Sequence, residues 1–302
     1  MIVDISSATV VIVTINYNGT EDTARLLSSI NTVSENVAVV VVDNCSKVRP
    51  YQLKEEFPKI ELVLSPENGG FGYGNNLGVK HIAQNSKCVE YVFILNNDTV
   101  IRDGCLSLLQ DTLLDRDIVC AAPLIVYPDQ KTIWFGGGGF SIKNVGAYSL
   151  YKDKQVSVLS DLPDVYESPF LSGCAMLMRI ADYKKLDGFD ERFFMYVEDV
   201  DLTFRLNKIG RLVLVKNALI THYAHSSLGE DIKPLSLNNP RLEFYVSNVV
   251  EGTIIFIQSN YNGFKKYLML MLFWFKWQRN GLRLGLKGWL MVNRHILKGF
   301  GV

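Results

Sequence analysis

Three runs of aliphatic and β-branched residues, at 9–15 (TVVIVTI), 37–43 (VAVVVVD) and 91–95 (YVFIL), constrain this 302-residue chain more than any other feature. None of them alternates apolar with polar residues. Strands of that kind are buried on both faces, as in a parallel sheet covered by helices on each side. Helix-compatible segments, roughly 20–33 and 73–85, separate the runs, so the order strand–helix–strand–loop–helix–strand predicts an open α/β sheet. Each run ends in polar residues: Asn16-Tyr17-Asn18, Asp43-Asn44 and Asn96-Asn97-Asp98. Ligands of such sheets bind outside the carboxyl ends of the strands. Three polar clusters at one edge therefore describe a site.

The middle of the chain is less regular. Gly136 to Gly139 is too flexible for an element interior, and 157–169 reads as a loop. FLSGCAMLMRI (170–180) reads as a strand, 181–186 as a short helix and Asp187-Gly188-Phe189-Asp190 as a turn. A helix is expected over 198–209, with Gly210 just past its end, and a short strand over 211–215.

Apolar residues make up 48% and charged residues 21%, which suits a chain with a sizeable core and argues against wholesale disorder. The 31 basic and 31 acidic side chains cancel, but they are not mixed. No Asp or Glu follows Glu251, whereas Lys265, Lys266, Lys276, Arg279, Arg283, Lys287, Arg294 and Lys298 do. The first 251 residues carry 23 basic against 31 acidic side chains, net −8, and the last 51 carry +8. A chain basic throughout is excluded, and no nucleic-acid partner is expected. The five cysteines form no CxxC pair, which fits a reducing cytoplasm better than a disulfide framework or a zinc site. No basic region precedes the first apolar run, so no signal peptide is expected. The longest strictly apolar stretch, 267–275, is far short of the roughly twenty residues a spanning helix needs.

Asp98, directly after a buried strand, suits Mg²⁺ or Mn²⁺ bridging phosphate oxygens; an Asx turn ending the strand explains the same residues. Asp43-Asn44 reads as a contact to a base or ribose, or again as a turn. The segment from Pro66 to Asn76 (PENGGFGYGNN) leads glycines and asparagines into a helix, where backbone N–H groups can approach an anion or sugar. It lacks the lysine of a phosphate-binding Walker loop and does not directly follow a strand. Glu198, Asp199 and Asp201 crowd the first turn of the next expected helix beside Phe193, Phe194 and Tyr196. The helix dipole stabilises charge there, and aromatic desolvation raises a carboxylate pKa, as a general base requires. His222 and His225 are incidental surface histidines or include a metal ligand; spacing does not decide.

Read together, these blocks resemble the family 2 glycosyltransferases, and among them the bacterial rhamnosyltransferases of O-antigen and surface-polysaccharide assembly. The likeness rests on VTINYNG (13–19), VVVDNCS (40–46), ENGGFGYGNNLGV (67–79), FILNNDT (93–99), SGCAMLMR (172–179), GFDERFFMYVEDVDLTFRL (188–206) and ALITHYAHSS (218–227), in the family's order. It implies a GT-A fold, with a Rossmann-like nucleotide-binding sheet carrying helices on both faces. The expected catalytic domain is 1–263, with a nucleotide half over about 1–125 and an acceptor half over about 126–263, followed by an extension at 264–302. The resemblance also implies an inverting, metal-assisted transfer from a nucleotide-diphospho-sugar to a polyprenyl-diphosphate-linked glycan. L-rhamnose from dTDP-rhamnose is the favoured donor, and Mg²⁺ or Mn²⁺ the cofactor.

By matching position, Asp199 is the catalytic base with Glu198 beside it, and Asp98 and His222 are the metal ligands; His225 falls in a glycine-like slot. Donor binding falls to Thr14, Asn16, Asp43, Asn44, Asn68, Gly69, Asn75, Asn96, Asn97 and Asp98. Two departures stand out: the metal motif, Asn96-Asn97-Asp98, has one carboxylate, and Ser247 stands where relatives often carry an arginine. The alternatives are a galactofuranosyl- or other UDP-sugar transferase, a sugar-phosphate nucleotidyltransferase, or a non-enzymatic nucleotide- or glycan-binding module. The nucleotidyltransferase would want a basic glycine-rich loop near the N-terminus, and 14–20 contains no Lys or Arg.

On one continuous helical wheel, Arg279, Arg283, Lys287, Arg294 and Lys298 share an arc of about 100°, with Leu282, Trp289, Val292, Ile296 and Phe300 off it. This basic amphipathic pattern suggests a helix lying on an anionic membrane; a helix docked on the catalytic domain is the alternative. The expected location is cytoplasmic, peripheral on the inner face of the cytoplasmic membrane.

Overall fold

A computed structural model describes residues 1–34, 36–142, 145–223 and 235–301; His225 lies outside the described residues. The three hydrophobic runs are strands β1 (Val10–Asn16), β2 (Ala38–Asp43) and, after the short edge strand β3 (Glu61–Leu64), β4 (Tyr91–Leu95). They lie parallel in the order β3-β2-β1-β4. Every residue of β2 is buried, as its unbroken valine run requires. Between the strands run α1 (Thr20–Thr32), α2 (Tyr51–Glu56) and α3 (Gly70–Asn85). The strand order reverses its direction of growth at β1 and β4, and their carboxyl ends frame the crevice where such sheets take ligands.

The glycine-rich segment belongs to α3 itself and does not merely precede it. A Cβ on Gly78 would come within 2.5 Å of Val13, and one on Gly74 within 2.9 Å of Ile15. The glycines let α3 lie tightly on β1. Gly70, at φ +92°, turns the chain into the helix under the Phe194 carbonyl.

The sheet continues through the second half of the chain. The elements there are β5 (Thr99–Ile101), α4 (Cys105–Thr112), β6 (Ile118–Val126), β7 (Ile133–Phe135), β8 (Gly138–Ser141), β9 (Gly146–Ser149), β10 (Val165–Glu167), β11 (Ala175–Arg179), α5 (Ile180–Lys185), α6 (Glu198–Leu206) and β12 (Arg211–His222), with β8 and β9 paired in a separate two-stranded sheet. β11 is antiparallel to both β4 and β6, tying the two halves into one sheet with β12 and β10 beyond. Three expectations are corrected here. Gly138 and Gly139 lie within a strand, β8, where a Cβ on Gly138 would meet the Tyr148 carbonyl at 2.4 Å: close approach, not flexibility, explains the glycine. The expected loop at 157–169 contains β10. The strand expected over 211–215 passes a register shift between Val215 and Leu219 and runs on to His222.

Three helices close the chain: α7 (Leu242–Asn260), α8 (Gly263–Arg283) and α9 (Gly285–Gly299). Gly285, at φ +74°, breaks the extension in two, so the single helical wheel drawn from Arg279 through to Lys298 does not exist. α9 packs against both α7 and α8. Their shared apolar cluster includes Phe193 and Val197 with Val246, Val250, Phe273, Trp277 and Val292. The boundary expected at 263/264 thus falls inside a helical unit that begins at α7 and buttresses the segment leading into α6.

Candidate active site

The carboxyl ends of β1 and β2 form a closed polar network. Asn16 and Asp43 are aligned across the two strands, and the Asn16 amide donates to Asp43 Oδ1 at 2.8 Å. The other Asp43 oxygen accepts from the Ser46 N–H at 3.2 Å and from Arg49 Nη1 at 2.5 Å. Asp43 is completely buried, and Arg49 holds it as an ion pair while also donating to the Ser65 carbonyl. The motif reading did not single out Arg49; its spacing, six residues after the strand-ending Asp, gives no signal until the chain turns back. Asn44 donates to Asn68 Oδ1 and to the Gly70 carbonyl. Thr14 Oγ1, Asn44 Oδ1 and Asn75 Oδ1 are buried without a partner among the described residues.

At the start of α3 the Gly70 N–H donates to Asn68 Oδ1 and the Phe71 N–H to the Phe194 carbonyl. The first two amides expected to meet an anion are thus engaged internally. An open hollow of about 740 Å³ lies beside this edge, lined by residues including Gly19, Asp22, Lys47 and Gln52, and none of Asp98, Asp199 or His222 reaches it.

The chemistry gathers around the turn Ser172-Gly173-Cys174 ahead of β11. On one side, the Asn96 N–H donates to the Cys174 carbonyl at 2.9 Å, and the Asn97 side chain is spent on Gly19 and Thr23. The side-chain amide of Asn96 has no protein partner among the described residues. Asp98 Oδ1 lies 3.1 Å from His222 Nε2, both residues buried. β12 carries His222 there by pairing it with Thr99. Trp134 of β7 sets its ring edge-on to the imidazole, centroids 4.3 Å apart. Burial disfavours a charged imidazole, but the Asp98 carboxylate beside it acts the other way, and the His222 pKa is raised. Burial pushes the Cys174 thiol up, so it stays protonated.

On the other side of the turn, the Gly173 N–H donates to Asp199 Oδ2 at 3.0 Å. Asp199 is half-buried, and burial pushes its pKa up to about 6 against the backbone donors that favour the charge. Glu198 is buried and accepts from the Val197 N–H at 2.9 Å. Burial first, and the neighbouring Asp199 second, raise it to about 8. Asp201 instead belongs to the scaffold, bound by Arg205 and Asn260. Tyr196, at φ +82°, holds the segment in a conformation that costs a non-glycine residue energy. Its ring is packed by Phe244 and Tyr245 of α7. Among the described residues Ser247 bonds only to the Phe244 carbonyl of its own helix, whereas Arg241, just ahead of α7, is near enough to Tyr196 to oppose the burial that raises its phenol.

Asp98 and His222 fit a divalent cation. Among the described residues no group of three His, Cys, Asp or Glu side chains gathers around one point, so the described residues offer this pair of donors. Magnesium-like ions are commonly held by one or two side chains plus substrate phosphates and water. Asp98 Oδ1 and His222 Nε2, 3.1 Å apart, would be close enough to hold one such ion together. Among the described residues His222 Nδ1 is buried without a partner.

Several known proteins are similar to this chain. The N-acetylglucosaminyl-diphospho-decaprenol L-rhamnosyltransferase of Mycobacterium tuberculosis (strain CDC 1551 / Oshkosh) is 26% identical over 306 residues, spanning 95% of this chain and 92% of the relative. Rhamnosyltransferase WbbL of Escherichia coli (strain K12) is 25% identical over 238 residues, 72% of this chain and 84% of its own. Among solved structures, the mannosyltransferase PcManGT from Pyrobaculum calidifontis in complex with GDP-Man and Mn²⁺ superposes with a TM-score of 0.57 at 12% identity, over 99% of this chain and 77% of that one. GalNAc-T7 with UDP, GalNAc and Mn²⁺ gives 0.58 at 16% identity, over 80% of this chain but 47% of its own, so this chain spans about half of it. At these identities the structures establish the fold, the GT-A arrangement expected from the sequence. The model of glycosyl transferase family 2 matches residues 9–186, more than half of the chain, and to that family of enzymes the chain belongs.

Proposed function

We propose that the protein transfers a sugar with inversion from a nucleotide-diphospho-sugar, L-rhamnose from dTDP-rhamnose, to a polyprenyl-diphosphate-linked glycan in bacterial polysaccharide assembly. The observation that carries the proposal is the turn 172–174, which sets the Asp98–His222 pair on one side and Asp199 on the other. The two relatives named as rhamnosyltransferases support the choice of sugar, and the decaprenol-linked substrate in one name supports the class of acceptor.

In this mechanism Asp98 and His222 hold Mg²⁺ or Mn²⁺, which when bound supplies positive charge against the diphosphate. Asn96 offers its free amide to a phosphate oxygen or the sugar. Asp199, fixed by the Gly173 N–H, accepts the proton of the acceptor hydroxyl as that oxygen attacks the anomeric carbon opposite the leaving group. Its pKa of about 6 leaves it ionised at neutral pH yet more basic than an ordinary aspartate. Glu198 stays protonated beside it, so the pair carries one negative charge, on Asp199. The Asp43–Arg49 pair builds the wall at the nucleobase end, with Thr14, Asn16, Asn44, Asn68, Gly69 and Asn75 around it.

The protein works in the cytoplasm, peripheral on the inner face of the cytoplasmic membrane, where a polyprenyl-linked acceptor resides. Among the described residues no helix is long and apolar enough to cross a membrane. The basic charge of the last 51 residues supports an anionic surface as partner. A thermal-shift panel of dTDP-, UDP- and GDP-sugars, with and without Mn²⁺, tests the donor. Stabilisation by dTDP-rhamnose only with metal is expected, and stabilisation by a UDP- or GDP-sugar alone would overturn the choice.

A further inference from the structure

The cations of the C-terminal unit differ in their partners. On α9, Arg294 pairs with Glu243 and Lys298 with Glu251 at 3.0 Å. His295 Nδ1 lies 2.8 Å from the same Glu251. These contacts fasten α9 to α7 and consume the last acidic side chains of the sequence. On α8, Lys265, Arg279 and Arg283 are exposed and have no acidic partner among the described residues.

α8 is apolar on two sides. Met269, Phe273 and Trp277 are buried against its neighbours, as one side of a docked helix must be. Phe264, Tyr267, Met271, Trp274, Phe275 and Leu282 are exposed, from 45% for Trp274 to 80% for Phe264. At the ideal turn per residue these six share one arc of about 100°, and Lys265, Arg279 and Arg283 lie along one flank of it. A continuous aromatic stripe of this size, bordered by unpaired cations, is not a surface that water favours. Aromatic residues beside lysine and arginine are the composition of a helix seated at the level of lipid headgroups.

We propose that this outward face of α8 is the surface on which the protein rests on an anionic bilayer, its aromatic stripe entering the headgroup region and Lys265, Arg279 and Arg283 meeting lipid phosphates. The partner follows from charge complementarity: the stripe lies within the last 51 residues, which hold no acidic side chain. The face also corrects the arc drawn from sequence, since Arg294 and Lys298 are committed to α7. Because α7 packs Tyr196, Phe193 and Val197, α8 shares an apolar cluster with the segment leading to Asp199. The proposal deepens the peripheral-membrane reading above, and it is tested without donor or acceptor.

The experiment is co-sedimentation of the full chain with phosphatidylglycerol or phosphatidylcholine vesicles, for wild type, for Phe264→Ser/Trp274→Ser/Phe275→Ser and for Arg279→Glu/Arg283→Glu. Wild type should bind phosphatidylglycerol and not phosphatidylcholine, weakening with salt. Each variant should lose roughly tenfold or more in partitioning, with thermal stability unchanged. Leu114→Ser, exposed on the catalytic body, should bind as wild type. Wild-type protein that ignores phosphatidylglycerol overturns the proposal, as does undiminished binding by the variants. Sedimentation velocity on the same samples covers the other occupant: a dimer that the serine variant dissolves, without vesicle binding, makes the stripe a contact between copies. Failure of vesicle binding with intact donor stabilisation would refute this surface and leave the glycosyl-transfer reading standing.

Discussion

Glu198→Gln should stabilise the protein, and increasingly so as pH rises. Glu198 is 6% exposed, and its pKa is raised from 4.5 to about 8 by burial and by Asp199. The native state therefore holds a proton that the unfolded chain releases above about pH 4.5, and stability falls as pH rises through the window from 4.5 to about 8. At about 1.4 kcal/mol per pH unit, the full cost at the top of that window is at most about 5 kcal/mol. Relaxation around the carboxylate lowers it to less than half of that in order of magnitude, about 2 kcal/mol. A glutamine keeps the oxygen that accepts from the Val197 N–H and never ionises. Thermal unfolding of both proteins at about pH 5 and about pH 8 measures the effect. The variant should match wild type at the lower pH and melt about 4 °C or more higher at the upper, since 1 kcal/mol moves a chain of this size by about 2 °C. Two melting curves that stay parallel across the window would refute a buried, protonated Glu198.

Other outcomes follow from the same geometry. Transfer should rise with pH along an acid limb centred near 6, where Asp199 loses its proton; a pH–rate profile flat down to pH 4.5 would contradict Asp199 as base. Asp98→Ala should abolish the metal-dependent part of nucleotide binding in calorimetry, because His222 then remains the one donor of the pair. Arg49→Ala leaves the buried Asp43 carboxylate with only its Asn16 and Ser46 partners, so nucleotide affinity and melting temperature should both drop. Gly70→Ala should destabilise by about 2 kcal/mol or more, since its Cβ would meet the Phe194 carbonyl at 2.3 Å in a backbone conformation of φ +92°, and chemical denaturation reads it.

Much of this arrangement was legible in the sequence. The unbroken runs that became β1, β2 and β4 could be read because strands buried on both faces need no alternation. The polar residues closing them did meet at one edge, and Asp98 and His222, 124 residues apart, are in contact. β6 escaped attention although all nine of its residues are buried, because IVCAAPLIV contains a proline and alanines that weaken the strand signal. Arg49 was invisible for a different reason: an arginine in a polar turn has no distinguishing local pattern, and its role arises only where β2 and β3 end together. In the sequence the glycines of α3 read as room for an anion or sugar; the structure gives Gly74 and Gly78 another cause, close packing on β1, and Gly70 a turn at positive φ. In the extension the basic charge was legible, but its pattern alone does not separate Arg294 and Lys298, which pair with α7, from the cations left on the surface of α8.

The central claim is that this family 2 glycosyltransferase uses Asp199 to take the proton of its acceptor. The most direct measurement is sugar transfer from dTDP-rhamnose to a polyprenyl-diphosphate-linked glycan by wild type and Asp199→Asn, with donor affinity measured on both. Wild type should form product, and the variant should be slower by about 10²–10⁴-fold at unchanged donor affinity. Transfer by Asp199→Asn at the wild-type rate would contradict the account.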